Sequence, residues 1–121
     1  MSRTPWLALA LLVMAAPAPV VLAQTPDTTA DVRCVAVGLH FAEAPNSPQK
    51  STGLLMALYY MGRLDGRDPN LDLKALLTAQ LAKMTAADFS QEDLRCSSIL
   101  SSKGAELTHI GQDLAKQLGA K

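Results

Sequence analysis

The hydrophobic and polar positions of the chain follow the period of an α-helix in several successive regions. In the first, Val32, Val35 and Leu39 lie on one face of a repeat of about 3.6 residues. Asp31 directly precedes this stripe and is a residue type that caps helix N-termini. The pattern therefore predicts a helix from Asp31 to about Glu43.

The next two regions predict helices on either side of a turn. A continuous apolar block over residues 54–61 indicates a helix from Pro48 to about Asp65. Because it is apolar around most of its circumference, we expect it to be the most buried helix. A third helix is expected after a cap at Asn70 or Asp72. Its apolar face contains Leu73, Leu76, Leu77, Leu81 and Met84.

The last region predicts helical structure up to the C-terminus. Ser90 is followed three residues later by Asp93, the pattern of an N-terminal cap. Gly104 leaves open whether residues 91–118 form one helix or two, because glycine disfavours a helix interior. The apolar positions are Leu94, Ile99, Leu100, Leu107, Ile110, Leu114 and Leu118. Since no alternating run predicts a strand, we expect an all-α fold, a small bundle of four or five helices.

The N-terminus has the three regions of a secretory signal peptide. Arg3 precedes an apolar run from Trp6 to Ala16, which Pro17 ends well short of the roughly 20 residues that span a bilayer. Small residues then lead to a cleavage site after Ala23. We expect a signal peptide over residues 1–23, a flexible lead-in over 24–30 and a single helical domain over 31–121. Such a product is periplasmic or secreted and has no membrane association after cleavage.

Composition and charge exclude several classes of protein. The chain has 121 residues, enough for one small domain. Its 11 Lys and Arg residues balance 11 Asp and Glu residues, which argues against a nucleic-acid-binding protein. The apolar share of 49% is too high for an intrinsically disordered chain. What remains is a small globular domain whose partners are not selected by net charge.

Two cysteines, Cys34 and Cys96, fall within the predicted domain. An even pair in a short exported chain predicts a disulfide, here between the first and last helices. A loop of about 60 residues closed in this way stabilises the fold by about 4 kcal/mol in the chain-entropy model. Because neither thiol belongs to a Cys-x-x-Cys pair or to a four-ligand cluster, we expect a structural bridge and no metal site.

Patterns for catalysis or metal binding are weak elsewhere in the chain. The polar segment 63–72 lacks the ligand spacing of a calcium-binding loop and predicts a turn between helices. His40 and Glu43 lie three residues apart, but His109 is distant, so no spacing brings them together as metal ligands. The role of the two histidines stays open. No serine lies in a Gly-x-Ser-x-Gly motif, and we expect neither enzymatic activity nor a cofactor.

Aromatic residues are few, so those that are not needed in the core are candidates for partner contacts. Tyr59 and Tyr60 are adjacent in the second helix, and one of the two rings could point outward, although core packing is the alternative. Phe89 precedes the last predicted helix. We name these three residues as candidate contacts with a protein partner or client. The oligomeric state stays open, with a homodimer as one option.

The chain resembles the Hde-type periplasmic acid-stress chaperones and related small disulfide-bridged helical proteins in four features. These are a cleaved leader, a cysteine near the first helix, the segment Leu54–Gly66 and a cysteine in the last helix. The resemblance implies a bridged helical fold and binding of client proteins that unfold in acid. The two cysteines are further apart here than in that family. We therefore expect a small exported, non-enzymatic protein of binding or stress-response type. The alternative is an inhibitor or immunity-type partner of a periplasmic enzyme.

Overall fold

The structure is a computed structural model that describes residues 26–119. Its four helices are α1 (Pro26–Glu43), α2 (Lys50–Arg67), α3 (Leu73–Leu81) and α4 (Ala86–Gly119). No strand occurs among residues 26–119, so the all-α class is confirmed, with four helices in this part of the chain. The expected signal peptide over 1–23 lies outside the described residues.

The first helix, α1, is the centre of the bundle. Seven of its residues between Asp31 and Gly38 are buried, and each of the other helices contacts it. The prediction that the second helix is the most buried is wrong, because α2 packs chiefly against α1 and leaves Leu54, Leu55 and Leu58 exposed. The core consists of Val32, Cys34, Val35, Val37, Met56, Ala57, Tyr60, Leu64 and Cys96.

A pair of glycines sets the crossing of α1 and α2. A Cβ atom added to Gly38 would lie 2.7 Å from both the carbonyl oxygen of Gly53 and the backbone nitrogen of Ala57. A Cβ atom on Gly53 would lie 2.6 Å from the carbonyl oxygen of Gly38. Ordinary contacts between such atoms are about 3.5 Å, so only glycine allows the two backbones to come this close.

The beginning of α1 differs from the expectation. Residues 26–30, which were expected to belong to a flexible lead-in, are helical. Pro26 suits this position because the first turn of a helix needs no N–H donor. Asp31 is a buried residue inside the helix rather than its cap, and its Oδ2 lies 3.2 Å from Arg63 and 2.5 Å from Arg67 of α2. Local sequence could not show this role, because both arginines are distant along the chain.

Capping residues build the two connections before α3. Ser47 Oγ accepts a hydrogen bond from a backbone N–H two residues later, at 3.1 Å, and α2 begins at Lys50 rather than at the expected Pro48. Asp72 caps α3, as expected, by accepting a hydrogen bond from the Ala75 backbone N–H at 3.0 Å. The local capping signals therefore placed α3 more accurately than α2.

The last helix, α4, is continuous, which answers the question left open at Gly104. It begins at Ala86, earlier than the expected cap at Ser90. The reason is a capping box in which Asp88 Oδ2 accepts from the Thr85 backbone N–H at 2.7 Å and the Asp88 N–H donates to Thr85 Oγ1 at 3.2 Å. The hydrogen bonds from Thr85 lower the pKa of Asp88.

Cys34 of α1 and Cys96 of α4 are paired at disulfide distance, with their Cα atoms 5.6 Å apart, and both are fully buried. The predicted link between the first and last helices is therefore present. The Tyr60 hydroxyl donates a hydrogen bond to the Cys96 carbonyl at 3.1 Å and joins α2 to the same point. Beyond this attachment, residues 101–119 of α4 are all exposed, and we call them the tail. No helix between Pro26 and Gly119 has the length and hydrophobicity needed to cross a bilayer.

Candidate functional site

An open groove of about 710 Å³ lies between the outward face of α2 and the second half of α4. We call it the α2–α4 groove. Its walls are Leu55, Leu58 and Tyr59 from α2 and Leu100, Lys103, Gly104, Glu106, Leu107 and Ile110 from α4. Because most of these side chains are apolar, the groove is suited to an apolar ligand surface.

The α2 wall exists because the apolar block of this helix extends around two faces. Met56 and Tyr60 point into the core, whereas Leu55 and Leu58 are more than half exposed. Residues three apart lie on neighbouring turns of one helix face, so these two leucines form one continuous strip. The same block of sequence therefore supplies one face to the bundle and another to the groove.

The α4 wall continues the helix face that is buried at the bridge. Cys96 is fully buried and Leu100 is partly buried against the core. Leu107 and Ile110 follow on the same side of α4 at helical spacing, but they lie beyond the body of the bundle and are exposed. The groove therefore forms where α4 extends past the elements that cover its apolar face.

The rim of the groove has balanced charge. Lys103 Nζ lies 2.5 Å from Glu106 Oε2, and both side chains are about half exposed. The hydrogen bond and charge of Glu106 raise the pKa of Lys103. Since the ammonium and the carboxylate neutralise one another, the groove attracts a ligand through apolar area and shape rather than through net charge.

Of the three candidate contact residues, only Tyr59 lines the groove. Tyr60 is fully buried and packs edge-to-face on Tyr59, with ring centroids 4.9 Å apart. Burial raises the pKa of Tyr60. It is therefore a core residue and unavailable to a partner, because its ring fills the space beside the bridge. Phe89 is partly buried and its ring lies 5.5 Å from that of His40, away from the groove walls.

Charged side chains join α1 to the later helices through hydrogen bonds. Arg33 Nε donates to Gln80 Oε1 of α3 at 3.1 Å, and Arg33 Nη1 donates to Glu92 of α4 at 3.4 Å. Arg95 of α4 donates to the Ala30 carbonyl at 2.7 Å. These bonds satisfy polar groups at the helix interfaces, so we assign them to the architecture rather than to a binding site.

One cluster has the composition of metal ligands. The Cys34 and Cys96 sulfurs and a Glu92 carboxylate oxygen lie within 4.8 Å of one another. The sulfurs are bonded to each other, and Glu92 accepts hydrogen bonds from Arg33 and Arg95. Since metal binding needs free thiolates, these atoms are engaged in the bridge and its surroundings instead.

A smaller cleft of about 260 Å³ lies near the start of α2 and is partly polar. Its walls include Phe41, Gln49, Met56, Asp93 and Ser97. Ser97 Oγ donates a hydrogen bond to Asp93 Oδ1 at 2.9 Å. A carboxylate one turn away is a common partner for a helical serine, so this contact gives no reason to infer a nucleophile.

No family model matches the chain, and comparison with curated proteins and with solved structures finds no significant similarity. The resemblance to Hde-type chaperones therefore stays a prediction from the sequence. The sequence predicted the apolar residues of both groove walls, as a continuous block in α2 and as a periodic stripe in α4, but it could not indicate that they remain uncovered. The groove was for that reason missing from the sequence-based expectations.

Proposed function

We propose that the chain is a small exported, non-enzymatic protein that binds apolar segments of other proteins in the α2–α4 groove, in a stress-response role similar to that of Hde-type chaperones. The observation that carries the proposal is the groove itself, an apolar channel of about 710 Å³ open at the surface. Its volume falls within the range of about 300–1,000 Å³ typical of ligand sites. Contiguous exposed apolar surface of this kind marks interaction sites.

The chemistry of the walls favours a peptide segment with large apolar side chains. Leu55, Leu58 and Leu107 offer surface that is exposed to water in the free protein. Burying one leucine-sized side chain contributes about 1.5–3 kcal/mol, and part of that gain offsets the entropy lost on association. Two or three such anchors give reversible binding of many sequences, which suits a client-binding protein.

Export is supported by the leader pattern before residue 24 and by the pairing of Cys34 with Cys96. Disulfides persist in oxidising compartments, which include the periplasm and the extracellular space. The buried bridge also restricts unfolding of the chain under conditions that unfold other proteins. A protein that acts during stress benefits from such a restriction.

The proposal is tested by measuring whether the chain prevents a model client from aggregating. Chemically denatured citrate synthase is diluted into buffer at neutral pH and at about pH 3, where most carboxylates are protonated. Light scattering should fall when the chain is present in excess. The double variant Leu58→Lys with Leu107→Lys places charges on both groove walls at both pH values, and it should lose this effect because burying an unpaired ammonium group is costly.

Leu94→Lys is the matched control. Leu94 is a 75% exposed leucine of α4 that does not line the groove, so this variant should suppress scattering like the parent chain. Circular dichroism of all variants verifies that the bundle remains folded. Scattering that the parent chain leaves unchanged at both pH values, or that the groove variant still suppresses fully, contradicts the proposal.

A further inference from the structure

No residue of the α4 tail is buried against another element within residues 26–119, since every residue from 101 to 119 is exposed and the tail meets α2 only across the open α2–α4 groove. Isolated helices are marginal in water, and most helical stability in proteins comes from packing of an apolar face. Gly104 and Gly111 weaken this segment further, each by about 1 kcal/mol relative to alanine. Neither glycine has a neighbour that would meet an added Cβ atom. A helix of this composition therefore requires a surface to pack against.

The tail carries an apolar stripe that is suited to such packing. Leu107, Ile110, Leu114 and Leu118 follow one another at intervals of three or four residues and are 48–71% exposed. Leu107 and Ile110 also line the α2–α4 groove. One surface of the molecule therefore contains both a groove and a projecting apolar ridge.

We infer that a second copy of this chain covers this surface: two tails pack antiparallel about a twofold axis, and each places Leu114 and Leu118 in the groove of the other copy. A twofold interface requires a surface that is complementary to itself, and a groove continuous with a ridge has this property. The dimensions agree as well. At 1.5 Å per residue, Leu114 and Leu118 lie about 6 Å apart along the tail, which fits within the roughly 15 Å of the α4 wall from Leu100 to Ile110.

The uncovered apolar area is sufficient for a stable dimer. The groove side of α2 adds Leu55 and Leu58 to the four residues of the ridge, and each of these side chains is at least 48% exposed. Together they offer on the order of 700 Å² per protomer, close to the value of about 800 Å² per partner in standard-size interfaces. One reciprocal contact would cover most of the large apolar side chains exposed on this side of the molecule.

The charges of the tail are compatible with pairing between copies. Lys103 is paired with Glu106, and Lys116 lies 3.3 Å from Asp113, so each base has its acid within the same helix. Two tails therefore meet without a net repulsion. Without residues 1–23, which include Arg3, the exported chain has 10 Lys and Arg residues and 11 Asp and Glu residues, so long-range repulsion between copies is small.

The antiparallel register gives Lys103 a further interaction. When Leu107 is level with Leu114 of the second copy, Lys103 is level with that copy's Leu118, in the last turn of its α4 helix. The last carbonyl groups of a helix lack intrahelical partners and attract cations. The ammonium group at the rim of one groove thus approaches the negative end of the tail that fills it.

Sedimentation equilibrium of the purified chain with its bridge intact tests the inference. The parent chain should show a monomer–dimer equilibrium. The double variant Leu107→Asp with Leu114→Asp should associate at least about 100-fold more weakly, because the interface would bury unpaired carboxylates. Leu94→Asp, outside the ridge, should associate like the parent chain.

Cross-linking tests the register. A Leu107→Cys chain mixed with a Leu114→Cys chain should form a covalent heterodimer in the presence of a short bis-maleimide. A mixture of Leu107→Cys with Leu94→Cys should give little product. All three variants change exposed residues of α4, so the bundle should remain folded.

A chain that remains monomeric up to about 1 mM, where association is weaker than roughly −4 kcal/mol, overturns the inference. A dimer that the ridge variant leaves intact, or a monomer whose tail instead associates with lipid vesicles, overturns it too. The inference uses the same groove as the proposed function. The two are separable because client binding is assayed at chain concentrations below the dimer dissociation constant, whereas dimerisation is measured by sedimentation at higher concentrations. A chain that suppresses scattering but does not sediment as a dimer contradicts only the dimer. A chain that dimerises but does not suppress scattering contradicts only client binding.

Discussion

Replacing Gly38 with alanine tests the packing on which the whole bundle depends. The added methyl group would lie 2.7 Å from two backbone atoms of α2, one on Gly53 and one on Ala57. Neither atom can rotate away, as the end of a flexible side chain could. The two helices must therefore separate by more than about 0.5 Å to restore ordinary contact distances. Separation loosens every core contact between α1 and α2.

The magnitude follows from two opposing effects. Overpacking a core typically costs about 1–3 kcal/mol, and a collision with two backbone atoms at the closest point of a crossing belongs at the upper end of this range. Alanine gains about 1 kcal/mol over glycine in helix propensity. We expect Gly38→Ala to lower the free energy of unfolding by about 2 kcal/mol, a large part of the stability of so small a domain.

Gly62→Ala is the matched control on the same pair of helices. Gly62 lies inside α2, and an added Cβ atom there meets nothing within 4 Å. The substitution should therefore raise the free energy of unfolding by about 0.5–1 kcal/mol. The same chemical change thus has opposite signs at two glycines, which distinguishes packing from propensity.

The assay is equilibrium unfolding in urea, followed by circular dichroism at neutral pH with the bridge intact. Combining Gly38→Ala with Gly53→Ala adds a second test, because helices already separated by one methyl group should lose less stability on addition of the next. The reasoning is refuted if Gly38→Ala is as stable as the parent chain, or if Gly38→Ala and Gly62→Ala shift stability in the same direction.

Three further predictions follow from the charges and the bridge. Asp31→Asn removes a buried carboxylate that is paired with two arginines, each about one-third exposed, and should lower the free energy of unfolding in urea by about 2 kcal/mol. Asp113→Asn, in an exposed ion pair, is the control and should change the free energy of unfolding by less than about 0.5 kcal/mol. The pKa of Asp88 is lowered in the fold, so its stabilisation is complete above the ordinary value of 3.8 and is lost as the pH falls through the folded value. Urea unfolding across this range should therefore show a smaller loss of stability in acid for Asp88→Asn than for the parent chain. Replacing Cys34 and Cys96 together with alanine should lower stability by about 4 kcal/mol, while the parent chain alone should show a mass change on reduction and alkylation after denaturation.

Features of the fold that depend on local chemistry were predictable from the sequence. Helical periodicity identified the class, the cap at Asp72 placed α3, and the cysteine count predicted the link between α1 and α4. Each of these signals is contained in a few neighbouring residues or in a rule about compartment and pairing. None requires knowledge of which surfaces meet.

Features that depend on long-range contacts were not predictable. Asp31 has the chemistry of a helix cap, and only the position of α2 shows that its carboxylate meets Arg63 and Arg67 instead. Gly38 and Gly53 resemble residues that weaken a helix, yet they allow the closest approach of two backbones. For Tyr59 and Tyr60, periodicity alone did not decide which ring faces the core.

The α2–α4 groove was missing from the sequence-based expectations for the same reason, because it too depends on long-range contacts. Periodicity predicts how much apolar surface a helix has, but the bundle decides how much of it is covered. The apolar stripe of α4 packs against the core as far as Leu100 and then continues to Leu118 as exposed surface in the described part of the chain. If the exposed remainder were structural, changing Leu58 or Leu107 to aspartate would destabilise the bundle. Because both side chains are more than half exposed, we expect such changes to leave the stability of the monomer almost unaltered and to impair association alone. That result would assign the exposed surface to binding rather than to folding, and a large loss of monomer stability in either variant would contradict it.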